Sequence, residues 1–196
     1  MKIPILMYHS ISNEDNSLSV PTNNFEKQMR FMSKNGYKTI SLKDLSYQQS
    51  KEKNFIITFD DGYEDVFLNA LPVLKKYNFN ATCFFVTKYI GQNNIWDEGK
   101  VGYVKLKLMN LNQISKWSLN GMEIGSHTSD HKNLINLSYN DKYSQITEPK
   151  EFFSKKFSID VEAFSYPFGS LDGEIFDIVK QNYNYAVTTN RSRFTF

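Results

Sequence analysis

Cysteine and histidine are scarce in this chain, and neither sign of charge dominates. Its 196 residues contain one Cys and three His, and 23 Lys and Arg stand against 21 Asp and Glu, for a net charge of +2. The single Cys83 excludes an internal disulfide and a Cys-rich zinc site. It lies within the run Thr82-Cys83-Phe84-Phe85-Val86 and reads as a small buried hydrophobe. The balance of charge leaves no footprint for nucleic acid or an anionic membrane. No apolar run reaches the ~18 residues of a spanning helix, so no integral membrane segment is expected. The stretch Met1–His9 turns polar too early for a secretory signal, which needs about 7–15 apolar residues. With Met1 as the natural start, a cytoplasmic location follows, and peripheral association or export by another route stays open. There is no GxGxxG, no P-loop and no repeat period, and no signal of oligomeric state. What is abundant is apolar and aromatic side chains, 40% and 15% of the chain. That supplies a single domain over residues 1–196, burying roughly 70% of the unfolded chain's surface.

Short β-branched and aromatic runs alternate with longer amphipathic segments. Strands are expected at Ile3–Tyr8, Lys38–Ile40, Phe55–Phe59, Thr82–Val86, Met122–Gly125, Phe164–Tyr166 and Tyr185–Thr188. Helices are expected from Asn24 to Gly36, after the capping box Ser41-Leu42-Lys43-Asp44, from Gly62 through Tyr77 with Pro72 starting a second half, and at Leu111–Leu119, Tyr139–Lys156 and Gly173–Asn182. Residues 87–110 show no period and read as a long loop with one helical turn. Such alternation implies a parallel α/β domain, either a barrel or a doubly wound sheet, with its ligand site at the carboxyl ends of the strands.

The polar motifs fall at those ends. Tyr8-His9 follows the first strand, Asp60-Asp61-Gly62 the strand at Phe55, Ser126-His127-Thr128-Ser129-Asp130-His131 the strand at Met122, and Tyr166-Pro167-Phe168-Gly169 the strand at Phe164. Neighbouring Asp residues point to opposite faces of a strand. Both reach one site only where the backbone turns, which Gly62 permits, and two carboxylates so close call for a cation or a proton between them. A solvated turn or a helix N-cap is the alternative. His127 and His131, four apart, place two imidazoles on one side of a coiled segment. With a carboxylate they make a set suited to Zn, Fe, Co or Ni; alone, the pair also reads as surface or capping histidines. Trp117 lies among apolar residues and reads as core, and Trp96, in the long loop, as a candidate for stacking on a sugar ring.

Taken together, these motifs resemble those of the NodB-homology polysaccharide deacetylases, carbohydrate esterase family four. Thr58–Gly62 matches the first motif, His127–His131 the second and Tyr166-Pro167-Phe168-Gly169 the third; Met122–His127 and Tyr185–Thr189 read similarly, so the likeness runs over roughly residues 3 to 190. It implies a distorted, incomplete (β/α) barrel. It implies that Asp61, His127 and His131 bind one divalent metal ion, zinc first with cobalt, nickel or iron as alternatives. Asp60 becomes the general base. The backbone N–H of Phe168, in a segment with Tyr166 and Pro167, helps hold the substrate oxyanion. The activity implied is hydrolysis of the N-acetyl group of an amino sugar, in a polysaccharide or a glycan precursor, with release of acetate.

Two departures stand out. The third motif normally begins with an Arg that orients the base through a partnered Asp; Ser165 takes that position, with Arg191 as a substitute. No Leu-x-His occurs near the C-terminus, where many members carry the general acid. The opening Ile5-Leu6-Met7-Tyr8-His9 resembles the poly-N-acetylglucosamine deacetylase branch, in which an N-terminal Tyr-His supplies that acid, so His9 is the candidate. The rival readings are a non-catalytic glycan-binding member and a hydrolase of a non-sugar amide on the same fold.

Overall fold

The computed structural model describes residues 2–47, 53–190 and 194–195. Strands β2 (Ile5–Tyr8), β3 (Lys38–Thr39), β4 (Asn54–Phe59), β5 (Thr82–Phe85), β6 (Glu123–Ser126), β7 (Ala163–Ser165) and β8 (Tyr185–Val187) form one parallel sheet. Its order is β2-β4-β5-β6-β7-β8, with β3 beside the start of β4. β1 (Lys2–Ile3) and β9 (Phe194–Thr195) pair antiparallel with each other. Helices α1 (Thr22–Lys34), α2 (Leu71–Lys76), α3 (Leu111–Leu119), α4 (Tyr139–Phe157) and α5 (Gly173–Asn182) fill the crossovers. Among the described residues no helix is long and apolar enough to cross a membrane.

Every residue of β4 is buried, as befits a parallel strand covered on both faces. Phe55, Ile57 and Phe59 face the helices. Phe59 meets Phe25 of α1 at 5.9 Å and Trp117 of α3 at 6.1 Å between ring centres. Trp117 is wholly buried core, and its indole N–H donates to the Glu123 carbonyl at 3.0 Å. Cys83 is likewise buried. The alternate residues face inward: Ile56 packs with Ile3, Phe84 and Ala163 in a separate interior cluster. Asp60 and Ser165, also inward by alternation, touch at 3.2 Å. They extend from strands three places apart, which a flat sheet would hold about 14 Å apart. The sheet is therefore curled into the incomplete (β/α) barrel, open because β2 and β8 do not pair among the described residues.

Three elements differ from the sequence expectation. The first strand is broken at Pro4, which has no N–H for a ladder, although its carbonyl accepts from Ile56 N at 3.0 Å. Half of the Ser41 capping box forms, the Ser41 N–H and hydroxyl donating to Asp44 Oδ2 at 3.3 and 2.6 Å, but the Asp44 N–H bonds to the Ser41 carbonyl, and the segment opened at Leu42–Tyr47 is 3-10 instead of an α-helix. Leu42 and Leu45 are both buried, and a spacing of three is the repeat of that tighter helix. Ahead of α2 the chain makes a π-type turn at Val66–Ala70, because Pro72 has no N–H to return to the preceding turn.

Candidate active site

Asp60 continues the inward row of β4, its N–H bonded to the Tyr8 carbonyl at 3.0 Å. Asp61 and Gly62 then take φ of 72° and 78°, and these two left-handed residues bring the Asp61 carboxylate to the same mouth as Asp60. A Cβ at residue 62 would press on the Phe85 ring, so the turn needs glycine for space as well as for φ. Of six non-glycine residues with positive φ among the described residues, four (Asp61, Thr128, His131 and Phe168) belong to this mouth. Such local strain gathers where geometry must be held for a purpose.

His127 follows β6, its N–H bonded to Phe85 O at 3.0 Å. Its Nδ1 lies 2.8 Å from the Ser165 carbonyl, an acceptor, so Nδ1 carries the proton and Nε2 offers a lone pair. Burial pushes this imidazole below its ordinary pKa, with the neighbouring Asp60 charge opposing, so it is neutral near pH 7. Nε2 lies 3.5 Å from Asp61 Oδ1. His131 is reached by a coiled loop, not a helix. Its N–H bonds to Thr128 Oγ1 at 3.0 Å, and Gln145 Oε1 of α4 accepts the Ser129 and Asp130 N–H groups at 3.1 Å each. His131 Nε2 stands 3.3 Å from the same Asp61 oxygen. Burial works against the Asp61 charge, but the imidazoles of His131, His9 and His127 hold its carboxyl well below the usual carboxylate range.

The three donor atoms lie within 4.8 Å of one another, all on buried residues. Asp61 Oδ1 is buried and receives no conventional hydrogen bond among the described residues. The separations of 3.3 and 3.5 Å match the edge of about 3.4 Å in a tetrahedral site with zinc-type bond lengths. Two imidazoles and one carboxylate thus make a donor set that fits a divalent cation and leaves coordination positions open.

Asp60 stays out of that triad. Its Oδ2 accepts from the Ser165 hydroxyl at 3.2 Å, and its Oδ1 is buried with no partner among the described residues. His9, half-buried, directly follows β2 and is one of the imidazoles that hold the Asp61 carboxyl down. The chain just beyond it is clamped: Asp65 accepts from Ser10 Oγ at 2.7 Å and Ile11 N at 2.8 Å, and Asn69 Nδ2 donates to Ile11 O at 2.7 Å. Tyr166 and Pro167 are buried, whereas Phe168 is 48% exposed at the rim, its ring 4.8 Å from His131 and Lys100 Nζ 5.0 Å above it. Arg191 lies outside the described residues.

Three neighbours complete the mouth: Trp96, which the sequence offered for stacking on a sugar ring, Ser165, which it offered only as the position of the missing Arg, and Tyr63, which carried no signal. Trp96 comes to the site by stacking on His131 at 5.0 Å, with Tyr89 at 5.6 Å on it as well. The Tyr63 phenol stands beside Asp61 and Asn94; burial, then the Asp61 charge, push its pKa far up and keep it a neutral donor. The Ser165 hydroxyl on Asp60 was legible in principle, since 165 shares the inward parity of Ala163.

Residues 47–187 match the family model described as polysaccharide deacetylase. YxkH of Bacillus subtilis strain 168 is 37% identical over 194 residues, which cover 96% of this chain and 64% of that protein. The poly-beta-1,6-N-acetyl-D-glucosamine N-deacetylase of Staphylococcus aureus is 28% identical over 191 residues, 90% of this chain and 62% of that one. The chain therefore spans just under two thirds of the length of these curated relatives. Among solved structures, the Streptococcus pyogenes deacetylase PplD in complex with acetate superposes with a TM-score of 0.83 at 28% identity, covering 98% of this chain and 86% of that one.

Proposed function

Because this chain belongs to the polysaccharide deacetylase family, we propose that it hydrolyses the N-acetyl group of an amino sugar in a glycan or glycan precursor. The observation that carries the reading is the division between two adjacent carboxylates. Asp61 is turned into a buried triad with His127 and His131, while Asp60 is held apart on Ser165 with one oxygen unpartnered. Pure binding has no need of that second carboxylate. The S. aureus relative named for removing acetyl from poly-N-acetylglucosamine, and the S. pyogenes relative solved with acetate, support the choice of bond.

Asp61, His127 and His131 would hold a divalent cation, with zinc the best match to this donor set, which would supply Lewis acidity toward water and the acetyl carbonyl. Ser165 O fixes the tautomer of His127, and Gln145 and Thr128 fix the loop that carries His131. Asp60 Oδ1 accepts the proton of the attacking water. The Phe168 N–H donates to the oxyanion that develops on the acetyl carbonyl oxygen as water adds to its carbon, a contribution of about 3–4 kcal/mol for one such donor. His9 gives its proton to the departing amine, a step of about 10²–10⁴ in rate. Acetate and the free amine leave. Trp96 and Phe168 wall the mouth on either side of His131, and their rings offer apolar faces to a sugar.

Acetate release from N-acetylglucosamine oligomers tests this, with wild type, Asp60→Asn and chelator-treated protein. Release by wild type alone is the expected result. A protein that binds the oligomers and releases no acetate is a glycan-binding member. One that leaves them intact and cleaves a small cyclic amide is the non-sugar hydrolase. Near-normal turnover by Asp60→Asn removes the base assignment.

A further inference from the structure

Ser165 makes two contacts at the mouth of the barrel, and they use different parts of the residue. Its carbonyl accepts from His127 Nδ1 at 2.8 Å. Its hydroxyl donates to Asp60 Oδ2 at 3.2 Å, a contact buried from solvent. The backbone is fixed from both sides, by pairing of Phe164 with Ser126 of β6 and of Ser165 with Val187 of β8. Ser165 itself is 3% exposed.

We infer that Ser165 is the positioning residue of the Asp60 base, its hydroxyl anchoring Oδ2 so that Oδ1 is the oxygen presented to water; this rests on the deacetylase reading above. The terminal torsion of an aspartate is soft and nearly two-fold. An unanchored Asp60 carboxylate samples orientations in which neither oxygen faces the reacting water. Among the described residues Ser165 Oγ is the side-chain donor on Asp60, and Oδ1 has no partner. One oxygen is tethered and its twin is left for the proton, which is the arrangement a base must have before substrate arrives. The two contacts are separable by substitution. Removing the hydroxyl leaves the carbonyl in place, so the hold on His127 and with it the ion site survives.

The test compares Ser165→Ala and Ser165→Thr with wild type in three measurements: metal content, steady-state turnover on N-acetylglucosamine oligomers, and crystal structures. Ser165→Ala is expected to keep its metal and its KM while kcat falls about 10- to 100-fold, the range for a lost hydrogen bond to a charged group. Ser165→Thr, which keeps the hydroxyl, should recover most of that loss. In the crystal, the Ser165→Ala carboxylate of Asp60 should leave its wild-type orientation. Turnover within twofold of wild type, or loss of metal in step with loss of turnover, overturns the positioning role. If wild type releases no acetate, the deacetylase reading fails on its own. The Asp60 orientation in the Ser165→Ala crystal then still decides, and an unchanged carboxylate counts against the inference.

Discussion

Adding zinc to the metal-free protein should raise its thermal midpoint, by an amount that separates the two aspartates. Binding to the folded state alone, at a free ion concentration 100-fold above Kd, adds about 2.7 kcal/mol. For a chain of this length each kcal/mol moves the midpoint by about 2–4 °C, so the expected rise is about 5–11 °C. His127→Ala removes one of the three donors and leaves the Ser165 carbonyl without its 2.8 Å partner. Its zinc-dependent rise should shrink to about 1–2 °C, because binding at the same ion concentration is no longer near saturation. Asp60→Asn keeps all three donors, since Asp60 is bonded to Ser165 and not to the triad. It should keep the full rise while losing turnover. Differential scanning calorimetry on the three proteins, each with zinc and with chelator, reads this directly. Asp60→Asn losing the rise as completely as His127→Ala would refute the split between ligand and base, and a wild type indifferent to zinc would refute the site.

His9→Ala should keep metal content and lower turnover by about 10²–10⁴-fold, read by metal analysis beside acetate release; unchanged turnover removes His9 as the proton donor. Gly62→Ala should lose about 2–5 kcal/mol in denaturant unfolding, because the left-handed φ of 78° and the contact with Phe85 both oppose a Cβ. Glu123, at the start of β6 and accepting from the Thr82 hydroxyl of β5, has its pKa raised above 4.5 by burial. Its contribution is therefore complete below pH 4.5 and lost as pH rises through the shifted value. Glu123→Gln, which keeps the Thr82 acceptor, should be more stable than wild type at pH 8, with the gain vanishing toward pH 4; melts across that range showing a constant difference would contradict the burial argument.

The strands were legible because burial on both faces writes continuous apolar runs, as in Phe55–Phe59. The site was legible because polar motifs interrupt those runs at the same end of each strand. Other features were not written locally. The loop over 87–110 shows no period because its bonds go elsewhere in the chain. Met109 N reaches Gly62 O at 2.9 Å, and Asn94 closes the loop on itself through Leu106 N at 2.8 Å and Val104 O at 3.1 Å. That arrangement brings Trp96 onto His131, a contact no spacing rule supplies. The different placement of the Asp60 and Asp61 carboxylates depends on two successive left-handed residues, Asp61 and Gly62, which the letters Asp-Asp-Gly allow without requiring. α4 forms as expected although Pro149 lies inside it, with Pro149, Ile146 and Phe153 buried.

The most direct measurement is product balance on an N-acetylglucosamine oligomer: acetate released against free amine formed on the sugar, with zinc-loaded and chelated enzyme. The mechanism predicts equal amounts of the two with the loaded enzyme, and neither after chelation or in Asp60→Asn. Oligomer recovered fully acetylated from a folded, zinc-loaded protein would contradict it.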